Sequence, residues 1–492
     1  MSFALSTILG TASGDDSEKE FDTYAIWAGR NPLYTSGYRY NDSASDLGAE
    51  SFNVTGSQET WTVPAGVSKI RITTIGGGGS GGTRHGNNYH GGGGGGGGAF
   101  ATAEYTVSAG DQLNVRAPNA ASHATDHTHQ YNGGQAYVQS ASDSGAAINI
   151  SANGGTGGSG YSAGGGSSTK QASGSALISG TSITADGGSG GQGSTLSFGF
   201  GPEPYGAAGG GAAGYVVGNG GSGASNNAGG YSTFSSGGGA IGGYSGGAWS
   251  GGGSSTSNHN YTAGSGAGSG ENGVAGSTNS TPKKGGDGSN SDFPGGKYPQ
   301  ETGSWTPSNF AEGSGANAKR ETGGAGGSSN AFFDNAGSGG SGGGGPKTYA
   351  WPLMAKAYQG GGGGGNGYSS YQYTHRGGDG GVGGGGGGGG CYQTQAWGSH
   401  ANNNGYTYFD YAMGCYRPSD SGYAYQPMGY NARGGHAGAF AGGGGGGGYY
   451  GDGGGGGYGG GGGGGGGHFQ GSSHGYGGMA GPALVVIEWK AP

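Results

Sequence analysis

Uninterrupted runs of glycine constrain this sequence more than any other feature. Six runs stand out: Gly91–Gly98, Gly360–Gly365, Gly383–Gly390, Gly442–Gly448, Gly453–Gly457 and Gly459–Gly467. Each glycine in a helix interior costs about 1 kcal/mol relative to alanine, so these runs do not predict helices. They also carry no side chains that a hydrophobic core requires. Whatever structure they form must be held together by the backbone itself.

Polyproline-II-like strands are one way in which such a backbone can pack. This conformation has three residues per turn and no internal hydrogen bonds, so its N–H and C=O groups need partners on other strands. Where every residue is glycine, no Cβ blocks an approach from any side. The runs therefore predict a polyglycine-II bundle, and a flexible linker is the alternative for any single run.

Composition excludes several classes of protein. Glycine supplies 143 of 492 residues, apolar residues reach only 30%, and charged residues 9%, against about 25% charged in an ordinary globular protein. A conventional large hydrophobic core is therefore excluded. The 15 prolines are too few for collagen. A net charge of −8 without a basic stripe argues against binding of duplex nucleic acid, because such binding needs clustered cations.

Stretches with branched and aromatic residues predict strands that frame the bundle. They are residues 60–75, 99–115, 135–150 and 483–489. The predicted fold class is mostly irregular and β: a polyglycine-II helix bundle framed by a few β-strands, with little or no α-helix. Residues 1–56 contain few glycines and are interpreted as an N-terminal attachment segment, followed by one glycine-rich domain at 57–492 with a loop-bearing polyglycine region at 360–480.

Three segments together resemble a known family. In residues 61–79, a strand pattern is followed by four glycines. The run Gly91–Gly98 leads into residues 99–113, and residues 478–489 contain an apolar strand pattern near the end of the sequence. In this order they resemble the glycine-rich domains of bacteriophage tail fibres and tail-fibre tip adhesins. The resemblance implies a structural virion protein that binds a host cell-surface receptor, either a glycan or an outer-membrane protein, through recognition loops between polyglycine strands.

Aromatic inserts between the glycine runs are the candidate receptor-binding loops. Tyrosine, tryptophan, serine, glycine and asparagine also dominate antibody paratopes, since rigid rings give contact area at low entropy cost and small polar residues adapt their hydrogen bonds. Tyrosines that merely cap the glycine lattice are the alternative. The candidate residues are Tyr368, Tyr371, Tyr373, Trp397, Tyr406, Tyr408, Tyr411, Tyr416, Tyr423, Tyr425, His468 and Phe469.

Two smaller patterns have both a functional and a structural interpretation. Cys391 and Cys415 flank part of one insert; a disulfide there would close a loop of about 25 residues and contribute roughly 3 kcal/mol, and two free buried thiols are the alternative. His127 and His129 would share one face of a strand, so three copies around an axis would offer six imidazoles to a metal ion. A solvated polar loop is the alternative for the histidines.

An enzyme is not predicted. G-x-S-x-G and G-x-G-x-x-G patterns carry no information in so glycine-rich a chain, and no catalytic carboxylate pair can be singled out. No cofactor is expected. Two other classes remain open: a non-viral extracellular structural or ice-binding protein on a polyglycine-II lattice, and an RNA-associated low-complexity protein, for which only Arg376 and Arg433 begin Arg-Gly-Gly elements.

The expected partners and location follow from the family resemblance. We expect contacts with a host receptor and, through residues 1–56, with other tail or virion proteins, but none with nucleic acid. The N-terminus resembles no secretory signal, and no apolar run is long enough to span a membrane, so synthesis in the host cytoplasm, assembly into the virion tail and no membrane insertion are expected. A homotrimer is the first expectation, because fibres usually need one, with a monomer as the alternative.

Overall fold

The computed structural model contains fifteen β-strands and no α-helix among the residues it describes. Those residues are 21–30, 49–83, 91–122, 130–141, 147–194, 206–226, 235–248, 264–268, 270, 272–273, 275–276, 374–375, 380, 383–391, 407–411, 414–418, 434–446, 451–466 and 475–492. Within them, no helix has the length and apolar character that crossing a bilayer requires. The fold class predicted from the sequence is confirmed.

The strands form two larger sheets and two hairpin-sized ones. Their bounds are β1 (Thr23–Ala28), β2 (Ser51–Val54), β3 (Gln58–Thr62), β4 (Lys69–Ile75), β5 (Phe100–Thr106), β6 (Gln112–Arg116), β7 (Ala136–Ser140), β8 (Asn149–Ala152), β9 (Lys170–Ser173), β10 (Ile183–Ala185), β11 (Thr374–His375), β12 (Gly390–Cys391), β13 (Thr407–Asp410), β14 (Cys415–Pro418) and β15 (Leu484–Trp489). The larger sheets have the orders β10-β5-β4-β15-β1-β2 and β3-β6-β7-β8-β9. The small ones pair β11 with β12 and β13 with β14.

One hydrophobic core lies between the two larger sheets. It includes Trp27, Ile70, Leu113, Val138 and Ile487, all buried. Successive side chains of a strand point to opposite faces, so the residues between these positions on the six-stranded sheet face away from the five-stranded sheet. The sheet therefore has a second buried face.

The second face of the six-stranded sheet carries a polar row and an aromatic cluster. The polar row is Tyr24, Glu488, Arg71 and Glu104, neighbours in register across four strands. Arg71 is bound to Glu104 at 2.7 Å. The aromatic cluster contains Phe100, Tyr215, Phe409, Tyr411, Tyr416, Phe440 and Tyr458.

The glycine segments beyond these sheets form a lattice with a three-residue period. From Gly92 to Ala99, every third N–H donates to the same neighbouring segment, and consecutive N–H groups donate to different ones. Carbonyl groups of the same segment accept bonds with the same period. Three residues per turn is the period of the polyproline-II helix. The donor–acceptor pairs from this segment are Gly92–Gly465, Gly95–Gly462 and Gly98–Gly459; Gly93–Gly160, Gly96–Thr156 and Ala99–Asn153; and Gly94–Gly191 with Gly97–Gly188.

Segment 92–99 thus has six hydrogen-bonded neighbours. It donates to three and accepts from three others, which are residues 76–82, 164–167 and 208–214. This arrangement is the hexagonal packing of polyglycine-II strands. It requires glycine at its buried positions, because the neighbouring backbones leave no room for a Cβ. A Cβ built on Gly96 would overlap the carbonyl oxygen of Gly165, and one on Gly94 would overlap that of Gly209.

Strands lie in all four segments where framing strands were predicted, and two features of their pairing go beyond that prediction. The strands that flank the turn at Gly66 do not pair with each other: β3 belongs to the five-stranded sheet and β4 to the six-stranded sheet. In addition, β1 pairs with β15 and β2 pairs with β1, so parts of the segment 1–56 are built into the sheet. A boundary between residues 56 and 57 therefore cuts through one sheet, because β1 supplies core side chains such as Trp27.

Candidate functional site: the loop end of the glycine lattice

The lattice has two ends of different character. At the first, which we call the sheet end, Gly76 follows β4, Ala99 precedes β5, and the N–H of Gly76 donates to the carbonyl of Ala99. Short turns at Tyr215, Phe440 and Tyr458 also lie here, in the aromatic cluster.

Aromatic packing holds those sheet-end turns in place. The rings of Tyr215 and Phe440 stack at 4.4 Å, and Phe440 has a φ of 66°, a conformation that favours glycine. Burial raises the pKa of the Tyr215 hydroxyl well above its ordinary value, with a smaller contribution from the charge of Glu488. Tyr215 is therefore held neutral as a packing residue.

The opposite end, which we call the loop end, is defined by hydrogen bonds that place residues distant in sequence at one level. The N–H of Gly82 donates to Gly93, and that of Gly92 donates to Gly465. The remaining pairs at this level include Ala207–Gly446, Ala208–Gly92, Gly193–Tyr161, Asn226–Gln192, Ser235–Gly389, Gly264–Ser235 and Gly475–Gly466.

Nearly every long connection between lattice segments leaves from the loop end. The described residues on both sides of each connection lie at that level, because lattice segments that follow one another in the chain run in opposite directions between the two ends. The connections are residues 84–90, 195–205, 227–234, 249–263, 277–373, 392–433, 447–450 and 467–474. By contrast, residues 215–219 and 458 connect segments at the sheet end by short turns.

Most predicted receptor-binding residues belong to these connections. Tyr368, Tyr371, Tyr373, Trp397, Tyr406, Tyr423, Tyr425, His468 and Phe469 all lie outside the described residues. The described residues on both sides of 392–433 and of 467–474 lie at the loop end: the N–H of Gly389 donates to Gly445, that of Gly434 to Asp452, and that of Gly475 to Gly466. Of the first insert the structure describes only Thr374 and His375, which pair with β12.

Tyr411 and Tyr416 have a different environment from the one that the sequence predicted. They belong to the hairpin β13–β14, which packs in the aromatic cluster, and are 6% and 2% exposed. The Tyr416 hydroxyl donates to the carbonyl of Ala480, and that of Tyr411 to Gly29. Their rings are core residues, as in the packing alternative, and their role in receptor contact stays a prediction. The backbone of Tyr408 lies in the same hairpin, paired with Arg417.

The two cysteines and two histidines remain predictions. Cys391 ends β12 and Cys415 begins β14, in separate two-stranded sheets, and their side chains lie outside the described part. His127 and His129 also fall outside it. In the part of the chain that the structure describes, no group of three or more His, Cys, Asp or Glu residues is arranged to hold a metal ion.

Four connections at the loop end were missed by sequence reasoning. Residues 195–205, 227–234 and 249–263 interrupt shorter and less pure glycine segments, which show no clear sequence period, whereas residues 84–90 directly precede the run Gly91–Gly98. The usable signal is a small polar residue at every third position, as at Asp186, Ser189 and Gln192. That period identifies a polyglycine-II segment on the surface.

Comparison with protein families finds one match. Residues 53–216 match the family model of a glycine-rich domain, which covers less than half of the chain. A search of curated proteins finds no significant match. The matched region contains β3 to β10 and several lattice segments, including 91–99 and 206–214.

Proposed function

We propose that this protein is a bacteriophage tail-fibre or tip adhesin, a structural virion protein that binds a receptor on the host cell surface. The observation that carries the proposal is the common origin of the long connections at the loop end. A rigid, backbone-bonded bundle that gathers many loops at one end is suited to recognition. Binding residues concentrate on loops that a rigid scaffold positions.

The composition of the shorter connections favours an uncharged receptor surface. Apart from histidines, connections 84–90, 195–205, 227–234, 249–263 and 467–474 contain only Arg84 and Glu203 as side chains that are charged at neutral pH. Their aromatic residues are Tyr89, Phe198, Phe200, Tyr205, Tyr231, Phe234, Trp249, Tyr261 and Phe469. Aromatic faces with small polar neighbours suit stacking on sugar rings or packing against loops of an outer-membrane protein.

The opposite end of the molecule suits attachment to other virion proteins. The N–H of Asp22 donates to the carbonyl of Trp489, the last residue of β15, which runs away from the lattice. Residues that precede Phe21 therefore join the domain at the end remote from the loops. This polarity would let one end bind the virion tail while the other faces the host.

An ice-binding or other extracellular structural protein is the second candidate. One surface of the lattice is regular, with small polar side chains such as Ser189 and Ser222 at every third position. However, Asn219 and Ser225 on that surface already accept backbone hydrogen bonds, which restricts them as ligands for ordered water. Thermal hysteresis at micromolar protein concentration would favour this candidate over an adhesin.

Adsorption of the purified chain to bacteria tests the adhesin proposal. The fluorescently labelled protein should bind a subset of a panel of bacterial strains and should compete with phage carrying the same protein. Trp397→Ala should abolish binding without lowering the denaturation midpoint. Tyr137→Ala, on the five-stranded sheet, is the matched control and should bind like the original chain. If cryo-electron microscopy places the protein in a capsid shell, or if only Tyr137→Ala loses binding, the proposal fails.

A further inference from the structure

One surface of the lattice is a single layer of parallel segments, which we call the outer layer. It consists of residues 186–193, 219–226, 245–248 and 272–276, of which 272–273 and 275–276 are described. Each segment donates backbone bonds to the one before it, as from Gly223 to Ser189 and from Gly246 to Ser222. At every third position a side chain points to solvent, and those positions carry serine, asparagine, glutamine, aspartate or alanine.

One set of backbone N–H groups in the outer layer has no neighbouring glycine segment to which it can donate. In segment 186–193, the N–H groups of Gly187, Gly190 and Gly193 donate to residues 161–167, and those of Gly188 and Gly191 donate to residues 209–212. The third set of N–H groups, those of Asp186, Ser189 and Gln192, donates to no backbone carbonyl of the described residues. In the interior, the third set of a segment donates to the carbonyls of another glycine segment.

Side chains of the next segment accept bonds from such N–H groups at three places. The N–H of Asp186 donates to Oδ1 of Asn219 at 2.9 Å, and that of Gln192 donates to Oγ of Ser225 at 3.0 Å. The N–H of Ser245 donates to Oδ1 of Asn272 at 2.8 Å. Each side-chain oxygen thus stands where a lattice carbonyl would otherwise be.

The same three places share a second bond, which makes the geometry a two-point clamp. The residue after each capping side chain donates its own N–H to the carbonyl of the capped residue. The pairs are Gly220 to Asp186 at 2.7 Å, Asn226 to Gln192 at 2.8 Å and Gly273 to Ser245 at 2.9 Å. Both backbone groups of the capped residue are therefore satisfied from one neighbouring segment.

We infer that Asn219, Ser225 and Asn272 terminate the lattice, and that they prevent a second copy of this chain from adding its glycine segments to the outer layer. A row of unsatisfied N–H groups is a template for further pairing, and β-sheet proteins block such edges explicitly. Asparagine and serine can accept backbone N–H bonds with short side chains, so they close the edge without a further element of structure. The partner that an uncapped face would fit is another polyglycine surface of the same chain.

The test compares two triple variants of the full chain. Asn219→Gly, Ser225→Gly and Asn272→Gly together remove the three caps and leave the N–H groups of Asp186, Gln192 and Ser245 without a side-chain acceptor. The matched control is Gln192→Gly, Ser222→Gly and Ala275→Gly, which adds three glycines on the same face at positions whose side chains cap none of the three N–H groups.

Hydrogen exchange and solution mass are the two measurements. In the uncapped variant the amides of Asp186, Gln192 and Ser245 should exchange roughly tenfold faster at low concentration, where one hydrogen bond each is lost. Its mass should then rise with concentration above that of the original chain, while the control should match the original in both respects. If the triple variant fails to fold, the single variant Asn219→Gly replaces it, and the hydrogen exchange of the Asp186 amide and the solution mass are measured. An unchanged mass at every concentration, or equal association by the control, would overturn the inference.

Discussion

The hydroxyl of Tyr416 donates to the carbonyl of Ala480 across 2.8 Å, and this bond ties the middle of an aromatic insert to the segment that leads into β15. The Tyr416 ring packs edge-on against Phe409 at 4.9 Å. An insert that was expected to serve recognition throughout is therefore anchored at its centre. Residues 392–406 precede this anchored hairpin, and residues 419–433 follow it.

Substitutions at Tyr416 should destabilise the fold. Tyr416→Phe leaves the buried carbonyl of Ala480 without its donor and should cost about 1–2 kcal/mol. Tyr416→Ala also removes a buried ring and should cost roughly 3–5 kcal/mol. Chemical denaturation followed by intrinsic fluorescence measures both values. Equal stability of Tyr416→Ala and the original chain would contradict the burial of this side chain.

Glycine-to-alanine substitutions should separate interior from surface positions of the lattice. A Cβ on Gly96 would overlap the carbonyl of Gly165, so Gly96→Ala must displace a segment and should cost about 3 kcal/mol or more. Gly165→Ala is the control, since its Cβ would meet only Oγ1 of Thr156 at 3.4 Å. There the reduced entropy of the unfolded chain should make the change neutral or slightly stabilising. Thermal unfolding of the two variants gives the comparison.

The buried ion pair on the six-stranded sheet should be sensitive to removal of its cation. Arg71 is buried, binds Glu104 and stacks 4.4 Å from the ring centroid of Phe21. Arg71→Met should cost about 3–5 kcal/mol, because it leaves buried carboxylates without their main cation. Lys69→Met removes the more exposed partner of Glu104 and should cost less than about 1 kcal/mol. Similar losses for both variants in urea denaturation would argue against this ranking.

Stability should fall at strongly alkaline pH. Burial, with a smaller contribution from Glu488, raises the pKa of Tyr24 to about 12, and burial raises that of Tyr105 to about 12 as well. A pKa that is higher in the folded state favours the neutral phenol there. The resulting stability is complete below the ordinary value of 10.0 and is lost as the pH rises towards 12. Each residue should contribute on the order of 2 kcal/mol.

Tyrosinate absorbance during an alkaline titration checks that expectation. Exposed tyrosines should ionise first, and Tyr24 and Tyr105 only as the protein unfolds. Tyr24→Phe should shift alkaline unfolding to higher pH. A single smooth ionisation near the ordinary tyrosine pKa, without a delayed fraction, would disagree with the burial of these two hydroxyls.

The sequence predicted the architecture better than it predicted the site. Glycine runs predicted the polyglycine-II bundle, and alternating apolar residues such as Ile70 and Ile72 predicted the strands that frame it. Both predictions were possible because each pattern reflects the conformation of the local backbone. The place of β1 was missed, since its pairing with β15 joins residues more than 450 positions apart and no local pattern records such a contact.

Burial of individual aromatic residues could not be predicted from their surroundings in sequence. Tyr411 and Tyr416 lie among the same small polar residues as Tyr423 and Tyr425, and only the docking of β13–β14 in the aromatic cluster distinguishes them. The direction of each lattice segment was also hidden, since polyglycine packs parallel or antiparallel equally well. That direction decides which connections meet at the loop end.

Amide hydrogen exchange of the glycine runs tests most directly whether a backbone lattice forms the core of this protein. Peptides that cover residues 91–98 and 459–466 should exchange as slowly as peptides from β4, because each of Gly92 to Gly98 donates to another segment. Flexible glycine linkers would instead exchange within seconds, at the rate of an unstructured chain. Slow exchange in both runs is the predicted result, and rapid exchange in either one would contradict the lattice.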